Sequence, residues 1–439
     1  MRIGSFAAPG GRYRIQAKFL VRPGESNGID ELRSTPAGMA RAAHARRVAL
    51  WCREVSESLQ LPRLDRECLE RAALLHQFPD IVSDERALRR LLAELKISEV
   101  EAAEDSSVHN DSLALLGAFH HRSGKPDGRW SKLAAVLEMC DGFDEAFEMD
   151  ALAPGLAGEE ILNSATEILS SYLQVSCGSD LVDVVERLPV FPTVAHRALS
   201  LLADEEVSLA RVESVVATDQ VLAGSIVQCA NSAAHGGTQS VGTLRHALSR
   251  IGVDNACKVV AAASLRPMFA SRLLHRLWNH SLETAAAAER LAALSRKADP
   301  EQAFLAGLVH DVGRLALLRL PLAATERYVR LMDQGCPQVL VERVLFASTH
   351  MSVGADALRK WNFSDEIVES VASHHAPERF PSTLSAILYL AEELAGEAED
   401  LPSAFRLSLA SNVIGVKVES LETLEPEDNT TVAMLRFAA

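Results

Sequence analysis

From Ala37 onward, apolar residues recur at helical spacing. Ala42, Ala43, Val48, Ala49, Trp51, Val55 and Leu59 form the first such stripe. Further helices are predicted over Cys68 to Phe78, Ser83 to Ser98, Leu113 to His121, Trp130 to Met149 and Gly158 to Gln174. Glu99 to Asp111 is acidic and polar and reads as a loop. In the second half helices are predicted over Ser208 to Thr218, from a cap at Asp219 to Ala233, and over Leu244 to Ile251. The segments 254–266, 273–296, 300–318, 322–334, 337–346, 350–361, 364–374 and 382–396 follow, punctuated by Pro267, Pro321 and the Gly335-Cys336-Pro337 turn. The alternation expected of a strand occurs in part over Tyr13 to Val21, and again over Leu407 to Val416. The expected fold is therefore all-α: two tandem helical domains with a short extended or β segment at the N-terminus.

The expected units are an extended arm over 1–36, a helical domain over 37–154 and a connecting helix or linker over 155–180. A second helical domain over 181–398 and a tail over 399–439 complete the chain. Its hydrophobic content of 48% suits a well-buried helical protein. The formal charge of −15 argues against a general nucleic-acid binder and against adhesion to anionic membranes. Seven scattered Cys without a CxxC pair indicate reduced thiols, and with no signal peptide or membrane span the expected location is cytoplasmic.

The candidate chemistry lies between His280 and Glu392. His280, His310-Asp311, His350, His374-His375 and Glu392 follow one another at intervals long enough for most of them to stand on different helices. Imidazoles and carboxylates without thiolate suit Fe, Mn or Zn. A fainter copy precedes this set. His44, His76-Gln77, His120-His121 and Asp141 match it in order, and Ala-Ala-Leu-Leu-His76-Gln stands beside Leu-Ala-Gly-Leu-Val-His310-Asp. Leu188-Pro-Val-Phe-Pro192 reads as a device for starting a helix, and Asn231-Ser232 as a helix cap or terminator. The loop around Lys125 lacks the spacing of a phosphate loop.

The second half, about 180–396, resembles an HDOD domain, a helical relative of the HD metal-dependent phosphohydrolases. The resemblance rests on Leu188-Pro-Val-Phe-Pro192, Asp219, Asn231-Ser-Ala233, the turn at Gly252 and Ala303 to Gly313. Glu342, His350, Gly354-Ala355, Trp361, His374-His375 and Leu390-Ala-Glu392 then fall in order. Residues 37–150 resemble a degenerate HD-GYP domain through His44, His76-Gln77, His120-His121, Gly124-Lys125-Pro126 and Asp141-Gly-Phe-Asp144. The resemblance implies that His280, His310, Asp311 and Glu392 hold one metal, that His350, His374 and His375 hold a second, and that Asp311 bridges the two. Asp311 would be the catalytic carboxylate were the site active. No metal is expected in the first half, where Gln77 replaces the bridging aspartate. Glu392 for aspartate, Arg314 for lysine and the missing Gly-Tyr-Pro after His375 depart from the active enzymes. The resemblance thus implies a bacterial signal-transduction protein acting through a signalling partner or a ligand, such as a nucleotide, with a metal-dependent phosphohydrolase as the alternative.

Overall fold

A computed structural model of the chain describes residues 36–78, 106–120, 128–152, 156–173, 186, 191, 208–232, 240–269, 274–395 and 404–417. The expectations for the N-terminal strand, for Ser83 to Ser98 and for the Lys125 loop fall outside these residues. Among the described residues every regular element is a helix.

The first half is built from α1 (Pro36–Ser58), α2 (Arg63–Leu75), α3 (Ser106–His120), α4 (Gly128–Leu152) and α5 (Leu156–Leu173). Helix α1 packs on α2, α4 and α5, and buries Val48, Trp51 and Val55 against them. Trp51 meets Phe143 of α4 edge-on at 5.4 Å. Helix α3 starts earlier than its polar sequence suggests. The acidic loop expected as far as Asp111 is helical from Ser106 because Val108 is buried. The Ser112 hydroxyl turns inward as well, donating to Val108 O (2.6 Å) and Cys68 O (3.3 Å).

The second half contains α6 (Leu209–Val216), α7 (Gln220–Ala230), α8 (Leu244–Ile251), α9 (Val253–Leu265), α10 (His275–Ser295) and α11 (Pro300–Val309). It continues through α12 (Arg314–Leu317), α13 (Leu322–Asp333), α14 (Gln338–Phe346), α15 (His350–Lys360), α16 (Asp365–Ala372), α17 (Thr383–Ala395) and α18 (Ala404–Ile414). The Asp219 carboxylate caps α7 by accepting from the amides of Val221 and Leu222. Gly252, at φ 81°, turns the chain between α8 and α9 in the left-handed region that favours glycine. Asn231 both ends α7 and clamps the chain further on. Its amide donates to Val241 O and accepts from Val241 N. Phe191 is buried against Trp361 and Phe363. Its ring therefore belongs to the core. Leu407 to Val416, which alternates in sequence, is helical as far as Ile414, because Leu407, Ala410 and Ile414 share a helical face that is buried.

The two halves share a continuous apolar core. Polar contacts seal the seam. Glu54 of α1 is buried and takes ion pairs from Arg327 and Arg330 of α13. Arg327 also donates to Glu54 O and Ser58 Oγ. Ser170 Oγ of α5 donates to Val344 O of α14 at 3.0 Å. Glu54→Ala is expected to cost about 2–4 kcal/mol, since it strands Arg327 in a half-buried seam. The urea midpoint of the full chain measures this, and a change of under about 0.5 kcal/mol, the range of an ordinary surface substitution, would mean that the pair is not structural. The described cysteines are all free and buried. Among the described residues no helix is long and apolar enough to cross a membrane.

Candidate metal centre

Five elements bring the second-half residues together. Helix α10 carries His280. His310 is the C-cap of α11, and Asp311 follows it in the turn before α12. His350 opens α15, with Thr349 and Ser352 forming a capping box that fixes this first turn. His374 and His375 follow α16, and Glu392 lies on α17. Two close backbone approaches set the spacing. A Cβ on Gly307 would lie 2.6 Å from Ala285 Cα, and one on Gly313 would lie 2.0 Å from His350 O. Only glycine lets α11 lie on α10 and the His310-Asp311 turn lie on α15.

The seven predicted residues meet. His280, His310 and Glu392 place their ligand atoms within 4.8 Å of one another, as do His310, Asp311 and His374, and as do His350, His374 and His375. Asp311 faces both sides. Its Oδ1 lies 3.3 Å from His350 Nε2, and its Oδ2 lies 3.5 Å from His310 Nε2 and 3.8 Å from His280 Nε2. Of the seven, His375 alone is partly exposed, and the others are buried.

The tautomers follow from the neighbours. His310 Nδ1 donates to Gly307 O at 2.7 Å, and His374 Nδ1 donates to Val371 O at 2.6 Å. His350 Nδ1 donates to Glu342 at 2.7 Å. Each of these rings therefore turns Nε2 inward, which is how a ligating histidine is normally held. The inward atoms then crowd one another. His350 Nε2 faces His374 Nε2 at 3.2 Å. His310 Nε2 lies 3.0 Å from Glu392 Oε2, yet is buried without a hydrogen-bond partner. Lone pairs converging in this way need cations among them, and protons or metal ions serve.

The proton distribution is uneven. Burial opposes a charge on His280, but Glu392 and Asp311 outweigh it and raise its pKa to about 9. Burial likewise opposes a charge on His350, and Glu342 and Asp311 raise it to about 9. Burial and neighbouring imidazoles push His374 well down, and push His375 down to about 4. Asp311 and Glu392 are held well below the carboxylate range, because the surrounding cations outweigh their burial. Arg314 is one of these cations, with Nη1 donating to Asp311 Oδ2 at 2.9 Å. Two acids flanked by five imidazoles, with no thiolate, fit Fe, Mn or Zn.

Glu342 acquires a role that the sequence did not assign. It is fully buried and accepts from Tyr328 Oη, Gln338 Nε2, and both the amide and Nδ1 of His350. Its signal was a lone carboxylate in the apolar run Val339 to Phe346. Glu342→Ala removes a buried acceptor shared by four donors and is expected to cost about 3 kcal/mol or more. Denaturant titration checks this, with Glu342→Gln milder because it keeps an acceptor.

The first half assembles a smaller cluster in a similar order. His44 comes from α1, His76 caps the end of α2, and Asp141 and Asp144 come from α4. His76 Nδ1 donates to Ala73 O, the same three-residue step back as in His310. His44 Nε2 lies 3.0 Å from Asp141 Oδ1 and 3.2 Å from His76 Nε2. Gln77 Nε2 lies 3.1 Å from His76 Nε2. Arg47 holds both oxygens of Asp144 at 2.6 and 2.7 Å, and Asp144 in turn accepts from His44 Nδ1. Burial opposes a charge on His44, but Asp141 and Asp144 raise it to about 9. His121 lies outside the described residues.

The comparisons agree with this architecture. The HDOD domain family matches residues 188–377. The solved structure of an HDOD domain protein from Geobacter sulfurreducens is 22% identical, with a TM-score of 0.50. The match covers 60% of this chain and 95% of that one. A protein from Marinobacter aquaeolei VT8, provisionally assigned to signal transduction, is 19% identical with a TM-score of 0.50. Here 60% of this chain and 67% of the other are covered. Ribonuclease Y of Desulforudis audaxviator (strain MP104C) is 29% identical over 151 residues, 34% of this chain. The chain spans only 23% of that relative's length. The family match and the shared fold make residues 188–377 of this chain an HDOD domain.

Proposed function

We propose that this chain is a regulatory protein of a signalling pathway, whose HDOD domain holds divalent metal and acts by binding a partner or ligand, with little or no turnover. One observation carries the reading: the candidate ligands are buried except for His375, and Arg314 already occupies one oxygen of Asp311. Such a site suits a sealed centre better than one that exchanges substrate. His280, His310, Asp311 and Glu392 would hold one ion, and His350, His374 and His375 a second, with Asp311 between them. Bound Fe, Mn or Zn would neutralise the converging acids and, in a hydrolase, would lower the pKa of a water. Arg314 keeps Asp311 ionised, and Glu342 orients His350. The assignment of the Marinobacter protein to signal transduction supports the same reading.

The first half reads as a degenerate HD-GYP-like domain that has become structural. Gln77 supplies a neutral amide where a bridging carboxylate would be required. The buried Arg47–Asp144–His44 chain of charge-assisted bonds ties α1 to α4 instead.

A second reading, a metal-dependent phosphohydrolase, is favoured by a cleft that reaches His375 and Glu392. The likeness to ribonuclease Y points the same way. Elemental analysis of protein purified without chelator, together with assay of a chromogenic phosphodiester in added Mn, separates the two. About one to two Fe, Mn or Zn per chain with no turnover is the expected result. Turnover that Asp311→Asn abolishes would replace the first reading by the second. Protein that takes up no metal under any loading would overturn both.

A further inference from the structure

Three side-chain atoms at the centre of the first-half cluster form a nearly equilateral triangle. His44 Nε2 lies 3.0 Å from Asp141 Oδ1 and 3.2 Å from His76 Nε2, and His76 Nε2 lies 3.1 Å from Asp141 Oδ1. Donors bound at about 2.0–2.1 Å to a tetrahedral ion stand about 3.3 Å apart, so a triangle of this size closes around one ion with little movement. Its corners come from α1, from the end of α2 and from α4.

Both rings are aimed from behind. His44 Nδ1 donates to Asp144 Oδ2 at 2.7 Å, and Arg47 holds that carboxylate through both oxygens at 2.6 and 2.7 Å. His76 Nδ1 donates to Ala73 O. Outer partners of this kind fix the tautomer and the orientation of a ligating histidine. With Nδ1 of each ring committed outward, the inward side of the neutral pair carries two lone pairs, which meet a carboxylate oxygen. One proton lies along one side of that triangle, whereas an ion at its centre serves all three atoms. His44 and His76 are buried, and the Asp141 side chain keeps 15% exposure, which opens the cluster to solvent. The Gln77 amide stands 3.1 Å from His76 Nε2 and, turned over, brings its oxygen to the same edge of the cluster.

We propose that the first half binds a single zinc ion through His44 Nε2, His76 Nε2 and Asp141 Oδ1, with water or the Gln77 oxygen as the fourth ligand. The expectation of no metal here followed from Gln77. A missing carboxylate at that position removes the bridge to a second ion and none of these three donors. The ion clips α1, α2 and α4 to one point. It is additional to those of the HDOD domain, so a fully loaded chain carries one ion more than that domain holds. The inference goes beyond the regulatory reading above and does not rest on it.

The test is the zinc content of the full chain, by elemental analysis after chelation and dialysis against a zinc buffer. Two backgrounds are compared: the wild type, and a chain whose HDOD cluster is disabled by Asp311→Asn and His374→Ala. In each, Asp141→Asn is expected to remove one zinc ion per chain, through an affinity loss of about 100-fold or more, since a ligand is lost rather than a group that orients one. Circular dichroism checks the fold, and the wild-type background decides alone if the disabled chain does not fold. X-ray absorption at the zinc edge of the disabled chain should show nitrogen and oxygen donors at about 2.0–2.1 Å. Zinc content that Asp141→Asn leaves unchanged would overturn the inference. So would sulfur donors at about 2.3 Å, which would place the ion on cysteines. A disabled chain without zinc, beside a wild type that binds it, would overturn the inference and leave the HDOD metal reading standing. One ion in both chains, lost in both with Asp141→Asn, would support it and count against metal in the HDOD domain.

Discussion

Asp311→Asn is expected to lower divalent-metal affinity by about 100-fold or more, beyond the 10–100-fold typical of removing a partner that only orients a ligand. The substitution hardly changes size. It changes charge and symmetry. In the wild type one carboxylate oxygen faces His350 at 3.3 Å, and the other faces His310 and His280 at 3.5 and 3.8 Å. An amide can present its oxygen to one side only. Its NH₂ would then face either the His350 side or the Arg314 guanidinium, which donates to Oδ2 at 2.9 Å. A neutral group also offsets none of the repulsion between two divalent ions. Metal content after dialysis against a Mn or Zn buffer, with chelator competition, reads the effect. In the first half a neutral amide, Gln77, stands beside His76 at 3.1 Å. Asp311→Asn protein that retained wild-type metal content would sink the bridging assignment.

Gly313→Ala should be the most damaging single methyl group in the HDOD domain. The new Cβ would lie 2.0 Å from His350 O, 2.6 Å from Gly354 N and 2.8 Å from His350 C. All three are backbone atoms, so no side chain can rotate aside. Either α15 moves away from the turn that carries Asp311, or the turn itself deforms. A loss of about 3 kcal/mol or more is expected, at or above the upper end of ordinary overpacking. The urea midpoint of the full chain measures it. Gly117→Ala in α3 is the control, because nothing lies within 4 Å of a Cβ there. That change should leave stability unchanged or raise it by about 0.5–1 kcal/mol through the better helix former. A Gly313→Ala protein as stable as the wild type would show that the contact between the turn and α15 does not position the site.

Much of this arrangement was legible along the chain, and the reasons are local. Helix periodicity, the Asp219 cap and the Gly252 stop each depend on residues within about one or two turns of one another. Polar and weakly periodic stretches take their state from tertiary contacts instead. Ser106 to Asp111 looks like a loop, but Val108 and Ser112 have buried partners on α2 and within α3. Leu407 to Ile414 alternates weakly and is nonetheless a helix, packed on α17. Glu342 was visible as a carboxylate in an apolar run, but which histidine it would hold was not. That required α14 and α15 to fold back on each other, so that His350 meets it through both its amide and its ring.

The sequence by itself determined which side chains were available: five imidazoles and two acids in the second half, and a depleted set with Gln77 in the first. It also determined that helices would carry most of them, because those properties belong to composition and to short-range spacing. Only the tertiary structure decided that Asp311 turns one oxygen to each side of the cluster, that Arg314 claims one of those oxygens, and that the first half walls a cleft above His375. Each of these depends on helices far apart in sequence approaching to within a few ångströms. Glycines at positions 307 and 313 permit that approach by lacking a Cβ, and no periodicity announces it.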